Sequence, residues 1–279
     1  MEFKAKDRRM EGETTLRQCQ LVQLYLLEVL DEICKKYGLR YFLDFGTLLG
    51  ALRHGGAIPW DDDLDVSMPE EDYFKFLSVA PGELSNEILL QTPMTNGGAF
   101  TGTSRLRDCK SFYLEGGWCY PRASGIFVDI YPLICRRYYP KFIGKKMSQL
   151  RALAVCSEIG NRIEINYTII QLWRHAIMAL FWRAINLFSE VFRYIVSIFG
   201  RKIWTMTPEL EGRFWQFEND DIFPLGSHLY EGREFPIPHN AEKILEKYYG
   251  NWKELPPEAD RQPYSKMKMI LPLQMPKFQ

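Results

Sequence analysis

Apolar residues after Thr14 recur at helical spacing, with Leu27, Leu30, Cys34 and Tyr37 on one stripe. Thr14 supplies a capping hydroxyl and Gly38 a stop, so the pattern predicts a helix from Thr14 to about Tyr37. Tyr41–Phe45 then reads as a short buried strand, broken by Gly46-Thr47 and followed by a short helix over Leu48–His54. After the glycine loop His54–Pro59, Asp63–Met68 predicts a second strand, and Pro69 leads into a helix from Glu70 to about Val79. Glu70, Glu71 and Asp72 sit in its first turn, where the helix dipole favours acids. Short strands are predicted at Ile88–Gln91, Thr103–Arg107 and Phe112–Glu115, separated by Gly97-Gly98 and Gly116-Gly117. The run GIFVDIYP, Gly125–Pro132, alternates most clearly, with Ile126, Val128 and Ile130 on one face and Phe127, Asp129 and Tyr131 on the other.

From about Lys141 to Trp204 the pattern is helical. Beyond Pro208 come a helix, short strands around Leu229–Phe235, a helix over Asn240–Tyr249, and a proline-rich irregular tail. This order predicts an α/β fold with a mixed sheet, as one domain over 1–279 that carries a helical insertion at 138–207.

Composition narrows the function classes. Thirty-five basic and 35 acidic side chains cancel, which excludes a general nucleic-acid binder needing a basic surplus. Hydrophobic residues at 46% give ample apolar surface for a core, which excludes disorder. The six cysteines lack CxxC spacing and read as reduced thiols, and the charged run MEFKAKDRRMEGE has no apolar core to act as a secretory signal. Both point to a cytoplasmic protein, so Asn166-Tyr167-Thr168 is discounted as a glycosylation acceptor.

The most apolar stretch, 165–204, is interrupted by Arg174, Arg183, Glu190 and Arg193. Its longest uncharged run, Ile165–Trp173, is nine residues, too short to span a bilayer. Trp173, Ile177, Leu180, Phe181, Ala184, Phe188 and Phe192 fall near helical spacing there. Two readings stand: a helix packed in the core or against a second copy, and an interfacial helix making peripheral contact with the inner membrane face.

The strongest chemical signal is Trp60-Asp61-Asp62-Asp63-Leu64-Asp65-Val66. Acids this dense repel one another and need a cation to offset them. Strand alternation puts Asp61, Asp63 and Asp65 on one face, as hard oxygen ligands suited to Mg2+ or Mn2+. An EF-hand is excluded, because Val66 and Asp72 stand where that loop needs Gly and Glu. A solvated acidic turn does not suit the apolar flanks Ile58, Leu64 and Met68. Asp129, a lone acid in an apolar strand, is costly to bury unless paired or bound, and would join the other acids if the two strands are neighbours. Two of these acids would hold metal and a third would take a proton from an attacking hydroxyl. Upstream, Gly46-Thr47 ahead of a helix offers amides and a hydroxyl for a phosphate.

The run LDFGTLLGALRHGGAIPWDDDLDVSM, Leu43–Met68, resembles the signature of the LicD family, which includes bacterial phosphocholine transferases and is related to fukutin and the fukutin-related protein. The resemblance continues at Asp129 in GIFVDIYPL, at Tyr230-Glu231-Gly232, at Phe235–Asn240 and at Tyr248–Trp252, and ends near Leu255-Pro256-Pro257. It implies a nucleotidyltransferase fold of the polymerase-β type, with an added helical region. By the same resemblance, Asp63, Asp65 and Asp129 are the catalytic metal aspartates, with Asp61 a further acid of the signature. Gly46 and Thr47 stand at the superfamily's Gly-Ser position. The implied reaction moves a phospho-alcohol, such as phosphocholine or ribitol phosphate, from a CDP-activated donor to a glycan hydroxyl, and CMP leaves. Arg53, Arg105, Arg107 and Lys110 are candidates for the donor's phosphates. His54 is a candidate for substrate contact or a structural role, and Glu231 for acceptor contact or support of the metal ligands. Competing readings are an NDP-sugar glycosyltransferase with an Asp-x-Asp site and a non-catalytic nucleotide- or glycan-binding relative.

Overall fold

A computed structural model describes residues 5–92, 103–113, 125–137, 202–206 and 215–263, and six single positions between 180 and 195. The chain divides into two units, Met1–Leu133 with Asp220–Gln279, and Ile134–Asn219. The first unit is a mixed α/β structure. Helix α1 spans Thr15–Tyr37; Thr14 accepts from the Arg17 N–H at its start, and Gly38 closes it with φ at 63°. Strand β1 is only Phe42–Leu43, because helix α2 already begins at Phe45 and runs to His54. The strand-like run through Phe45 is cut short by Asp44, whose carboxylate caps the helix by accepting the Phe45 N–H. Gly46 and Thr47 therefore lie in the first turn of α2 rather than in a loop ahead of it.

Strand β2 spans Asp65–Pro69, and α3 follows over Glu70–Val79. Strands β3 (Ile88–Gln91), β4 (Ser104–Asp108) and β5 (Phe127–Arg137) complete this part of the sheet. Of the strand expected at Phe112–Glu115, Phe112 and Tyr113 are described and form only an isolated bridge at Phe112. The order is β1-β2-β5-β4-β3. β2 and β5 run parallel, while β1–β2, β5–β4 and β4–β3 are antiparallel. The register puts Asp65 beside Asp129, Asp129 beside Arg105 and Arg105 beside Gln91, which makes one polar rung across four strands.

Cross-strand neighbours share a face and alternate residues change face. The other face is accordingly apolar: Val66, Met68, Leu106, Val128 and Ile130 are wholly excluded from solvent. A short helix α4 (Asn219–Ile222) begins at the end of the second unit. In the first unit, the hairpin β8 (Gly226–Tyr230) and β9 (Arg233–Ile237) and helix α5 (Ala241–Tyr249) follow. Glu231 and Gly232 turn the hairpin with positive φ, at 52° and 79°.

In the second unit, β6 (Lys202–Met206) pairs with β7 (Gln216–Phe217) in antiparallel fashion. Most of the segment expected to be helical lies outside the described residues. At the six described positions it is helical, and Leu180, Leu187, Phe188, Val191 and Ile195 are all exposed at helical spacing. Burial in a core does not hold for those five side chains. Among the described residues no helix is long and apolar enough to cross a membrane.

Candidate functional site

The acidic run enters β2 as an irregular stretch held from behind by α1. Gln20 Nε2 donates to the carbonyls of Ile58 (3.0 Å) and Asp61 (2.9 Å), and Gln23 Nε2 donates to that of Asp62 (2.7 Å). Asp62 is turned away from its neighbours and buried, with its carboxylate accepting from the Tyr113 hydroxyl. Asp65 is fixed at the strand start by its own N–H, which donates to Thr47 Oγ1 at 2.8 Å. Thr47 thus spends a lone pair on positioning a pocket acid.

Gly46 sits beneath the acids: a Cβ there would lie 2.8 Å from Asp61 Oδ2 and 3.9 Å from Asp63 Oδ1. The site needs glycine here so that the helix backbone and the carboxylates can approach. Asp61 and Asp63 lie side by side, close enough for each to bear on the other's proton affinity. Burial and the charge of its neighbours push Asp61 up to about 6. Burial first, and then Asp61 and Asp129, push Asp63 well above the carboxylate range. Burial, with Asp63 and Asp129, does the same to Asp65.

Asp129, on the central strand, has a cation. Arg105 Nε lies 2.6 Å from its Oδ1 and an Arg105 terminal nitrogen 3.4 Å from its Oδ2, with both side chains buried. The Arg105 guanidinium rests 4.0 Å from the centre of the Phe127 ring. Arg107 also lies over Phe127, with Nε donating to Gln91 and a terminal nitrogen to the Gly125 carbonyl. Both arginines therefore stand on the polar face of the sheet, Arg105 at the acids and Arg107 one step along.

Asp44 was not singled out by sequence, yet it is fully buried at the same place. It accepts from Ser67 Oγ (2.6 Å), the Phe45 N–H (2.8 Å) and the Tyr248 hydroxyl (3.1 Å). Burial pushes it up to about 6 against the pull of those three donors. Phe45 has φ at 44°, a costly conformation for a bulky residue, worth about 1–3 kcal/mol. Its ring is held edge-on to Tyr131 (5.3 Å) and stacked on Tyr248 (4.9 Å). Tyr249, beside them, has its hydroxyl pushed up by burial and by Asp65, Asp44, Asp61 and Asp63, so an aromatic wall borders the acids.

The remaining candidates lie apart from this row. Arg53 donates to the carbonyls of Trp252 (3.0 Å) and Glu254 (3.3 Å) and to His54 Nε2 (3.0 Å). His54 packs edge-on to Trp60, and burial, with Arg53, lowers its proton affinity. Both brace the end of α2 against the segment after α5. Lys110 pairs with Glu87 on the surface. Glu231 accepts from two Arg17 nitrogens (2.9 and 2.6 Å) and from the Ala57 N–H (2.9 Å). Burial alone would raise Glu231, but these donors outweigh it and hold it below its ordinary value. In this structure its carboxylate clamps the glycine loop that precedes the acids.

The donor chemistry, buried Asp65 and Asp129 on neighbouring strands with half-buried Asp61 and Asp63 just ahead of Asp65, suits a hard divalent cation. Asp61, Asp63 and Asp65 have no basic side chain within ion-pair distance among the described residues. Nor do three carboxylates there already converge as a finished coordination shell. Asp129, the acid on the neighbouring strand, is in contact with Arg105.

Three comparisons bear on the chain. The family described as "LicD/FKTN/FKRP, nucleotidyltransferase domain" matches residues 38–147. The lipopolysaccharide cholinephosphotransferase LicD of Haemophilus influenzae is 27% identical over 266 residues, covering 90% of this chain and 96% of that protein. The human ribitol 5-phosphate transferase FKRP is 44% identical over 57 residues, 20% of this chain and 11% of that protein.

Raised carboxylates carry a stability prediction. Their folded-state proton affinity exceeds that of the unfolded chain, where aspartates titrate near ~3.9. The cluster therefore stabilises the fold at low pH, and that contribution is lost as pH rises through about 6 and beyond. In chelator, Asp63→Asn should raise Tm by a few degrees at about pH 7.5 and much less at about pH 5. Thermal melts at the two pH values check this; a variant that melts below wild type at the higher pH contradicts it.

Proposed function

We propose, from the LicD-family match over residues 38–147 and the 27% identity to a cholinephosphotransferase across 90% of the chain, that the protein is a LicD-family phosphotransferase with a polymerase-β-type nucleotidyltransferase core. It moves a phospho-alcohol from a CDP-activated donor to a hydroxyl of a cell-surface or lipid-linked glycan, and CMP leaves. The observation that carries this reading is the register of β2 on β5, which sets Asp65 beside Asp129 next to the uncompensated Asp61 and Asp63. Those four acids would hold Mg2+ or Mn2+, which supplies Lewis-acid stabilisation of the charge on the departing nucleotide.

The protein's own groups do the rest. A buried carboxylate with raised proton affinity is a competent acceptor for the proton of the attacking glycan hydroxyl. Arg105 and Arg107 supply cations on the same sheet face for the donor's diphosphate. Phe45, Tyr131 and Tyr249 offer ring faces, which suit a quaternary ammonium such as choline; a polyol would rely on hydrogen bonds instead. Thr47, Gln20, Gln23 and Glu231 keep the acidic stretch in place.

The helical stretch supports a membrane contact as well. Its exposed residues Leu180, Leu187, Val191 and Ile195 form an apolar stripe, and Arg174, Arg183 and Arg193 outnumber the lone acid Glu190. That combination fits an anionic lipid surface, where lipid-linked acceptors reside. The protein should sediment with vesicles rich in phosphatidylglycerol and less with phosphatidylcholine vesicles, and Leu187→Asp with Val191→Asp should abolish the difference. A wild-type protein that ignores both vesicles refutes membrane contact.

The reaction itself is tested by incubating the protein and Mg2+ with CDP-choline, CDP-ribitol and a panel of NDP-sugars, with and without glycan acceptor. CMP release from a CDP-alcohol, stimulated by acceptor, is expected. Asp65→Asn should lower it by at least about a thousandfold while leaving the fold intact. Release of UDP or GDP from a sugar donor would instead establish a glycosyltransferase, and nucleotide binding without turnover a non-catalytic relative.

A further inference from the structure

The acidic pocket contains one contact that its proposed chemistry does not explain. Asp129 has an acid on one side and a base on the other in the same rung: Asp65 on β2 and Arg105 on β4. It contacts the base through both oxygens, at 2.6 Å on Oδ1 and 3.4 Å on Oδ2. Arg105 is not a surface cation. Its side chain is about one-tenth exposed and lies flat over Phe127, so the pair is screened from water and its attraction is strong.

An Asp129 committed to Arg105 is not fully available to a divalent cation that would share it with Asp61, Asp63 and Asp65. A cation that draws Asp129 in must displace the guanidinium, and a buried guanidinium without a carboxylate is costly. A diphosphate arriving next to the pocket would supply the anion that Arg105 then lacks. Binding of cation and donor are thereby linked through one side chain, and each raises the affinity for the other.

We propose that Arg105 is an exchangeable internal counter-ion: it occupies Asp129 in the cation-free pocket, yields that carboxylate to the divalent cation, and passes its own charge to the donor's diphosphate. This rests on the metal and donor reading given above. It makes Arg105 a gate against a cation-loaded but donor-free pocket, beyond its use as a phosphate contact.

Mn2+ binding, followed by loss of the free-ion electron paramagnetic resonance signal, tests the exchange without turnover. Wild type should bind Mn2+ weakly alone and at least about tenfold more tightly with CDP present. Arg105→Gln, which has no charge to compete for Asp129, should bind Mn2+ alone about tenfold more tightly than wild type and gain less than about threefold from CDP. Phe127→Leu keeps every charge but removes the platform under the guanidinium. It should also tighten Mn2+ binding, by about threefold, which a purely through-space effect of the Arg105 charge would not produce.

Arg105→Gln binding Mn2+ no more tightly than wild type overturns the proposal, as does an unchanged CDP effect in that variant. Phe127→Leu at wild-type affinity overturns it too, and serves as the deciding variant should Arg105→Gln not fold. Mn2+ binding by no protein, with or without CDP, removes the metal reading itself, a failure distinct from bound Mn2+ that is indifferent to Arg105.

Discussion

Four carboxylates crowded together, two of them buried and two half-buried, set the terms for the rest of this structure. Like charges in a low-dielectric setting cost several kcal/mol unless protons or cations intervene. Burial raises the proton affinity of Asp61, Asp63 and Asp65, and Asp129 leans on Arg105. Such a cluster persists only where the surrounding backbone leaves it nowhere else to go. That is the work of the α1 glutamines on the carbonyls of 58, 61 and 62, of Thr47 on the Asp65 amide, and of the Glu231 clamp on Ala57. Stability is spent here on holding the acids together.

The sheet makes the cluster possible through its register. A parallel β2–β5 pair brings together acids 64 residues apart in sequence, and the antiparallel β4 adds the base on the same face. A slip of one residue would turn Asp129 into the apolar layer and Val128 and Ile130 out of it, so register is strongly specified by burial. Phe45 shows a second cost accepted at the site, a positive φ maintained by stacking on Tyr248, whose hydroxyl in turn satisfies buried Asp44.

Much of this was legible in the chain, for definite reasons. The α1 stripe, the alternation about Asp129 and the acid-dense approach to β2 are local patterns, and local patterns survive folding. The start of α2 was not, because Leu43-Asp44-Phe45 has strand-like flanks and only the capping geometry of Asp44 reveals the helix. Gln20 and Gln23 read as ordinary polar helix positions; the signal that was there is that they interrupt an otherwise apolar face. Motif position and charge mark Arg53, Arg105 and Glu231, but neither says which partner wins. Glu231 finds Arg17, 214 residues away, and Arg105 finds Asp129 through a strand pairing that no spacing rule encodes.

The central claim is that the acids hold excess protons until a divalent cation replaces them. Titration calorimetry of Mn2+ binding, repeated in buffers of different ionisation enthalpy, counts the protons released. At about pH 6 the account predicts net release of roughly one proton or more per cation bound, declining as pH is raised toward about 8.5. Binding with no proton release at the lower pH would contradict it.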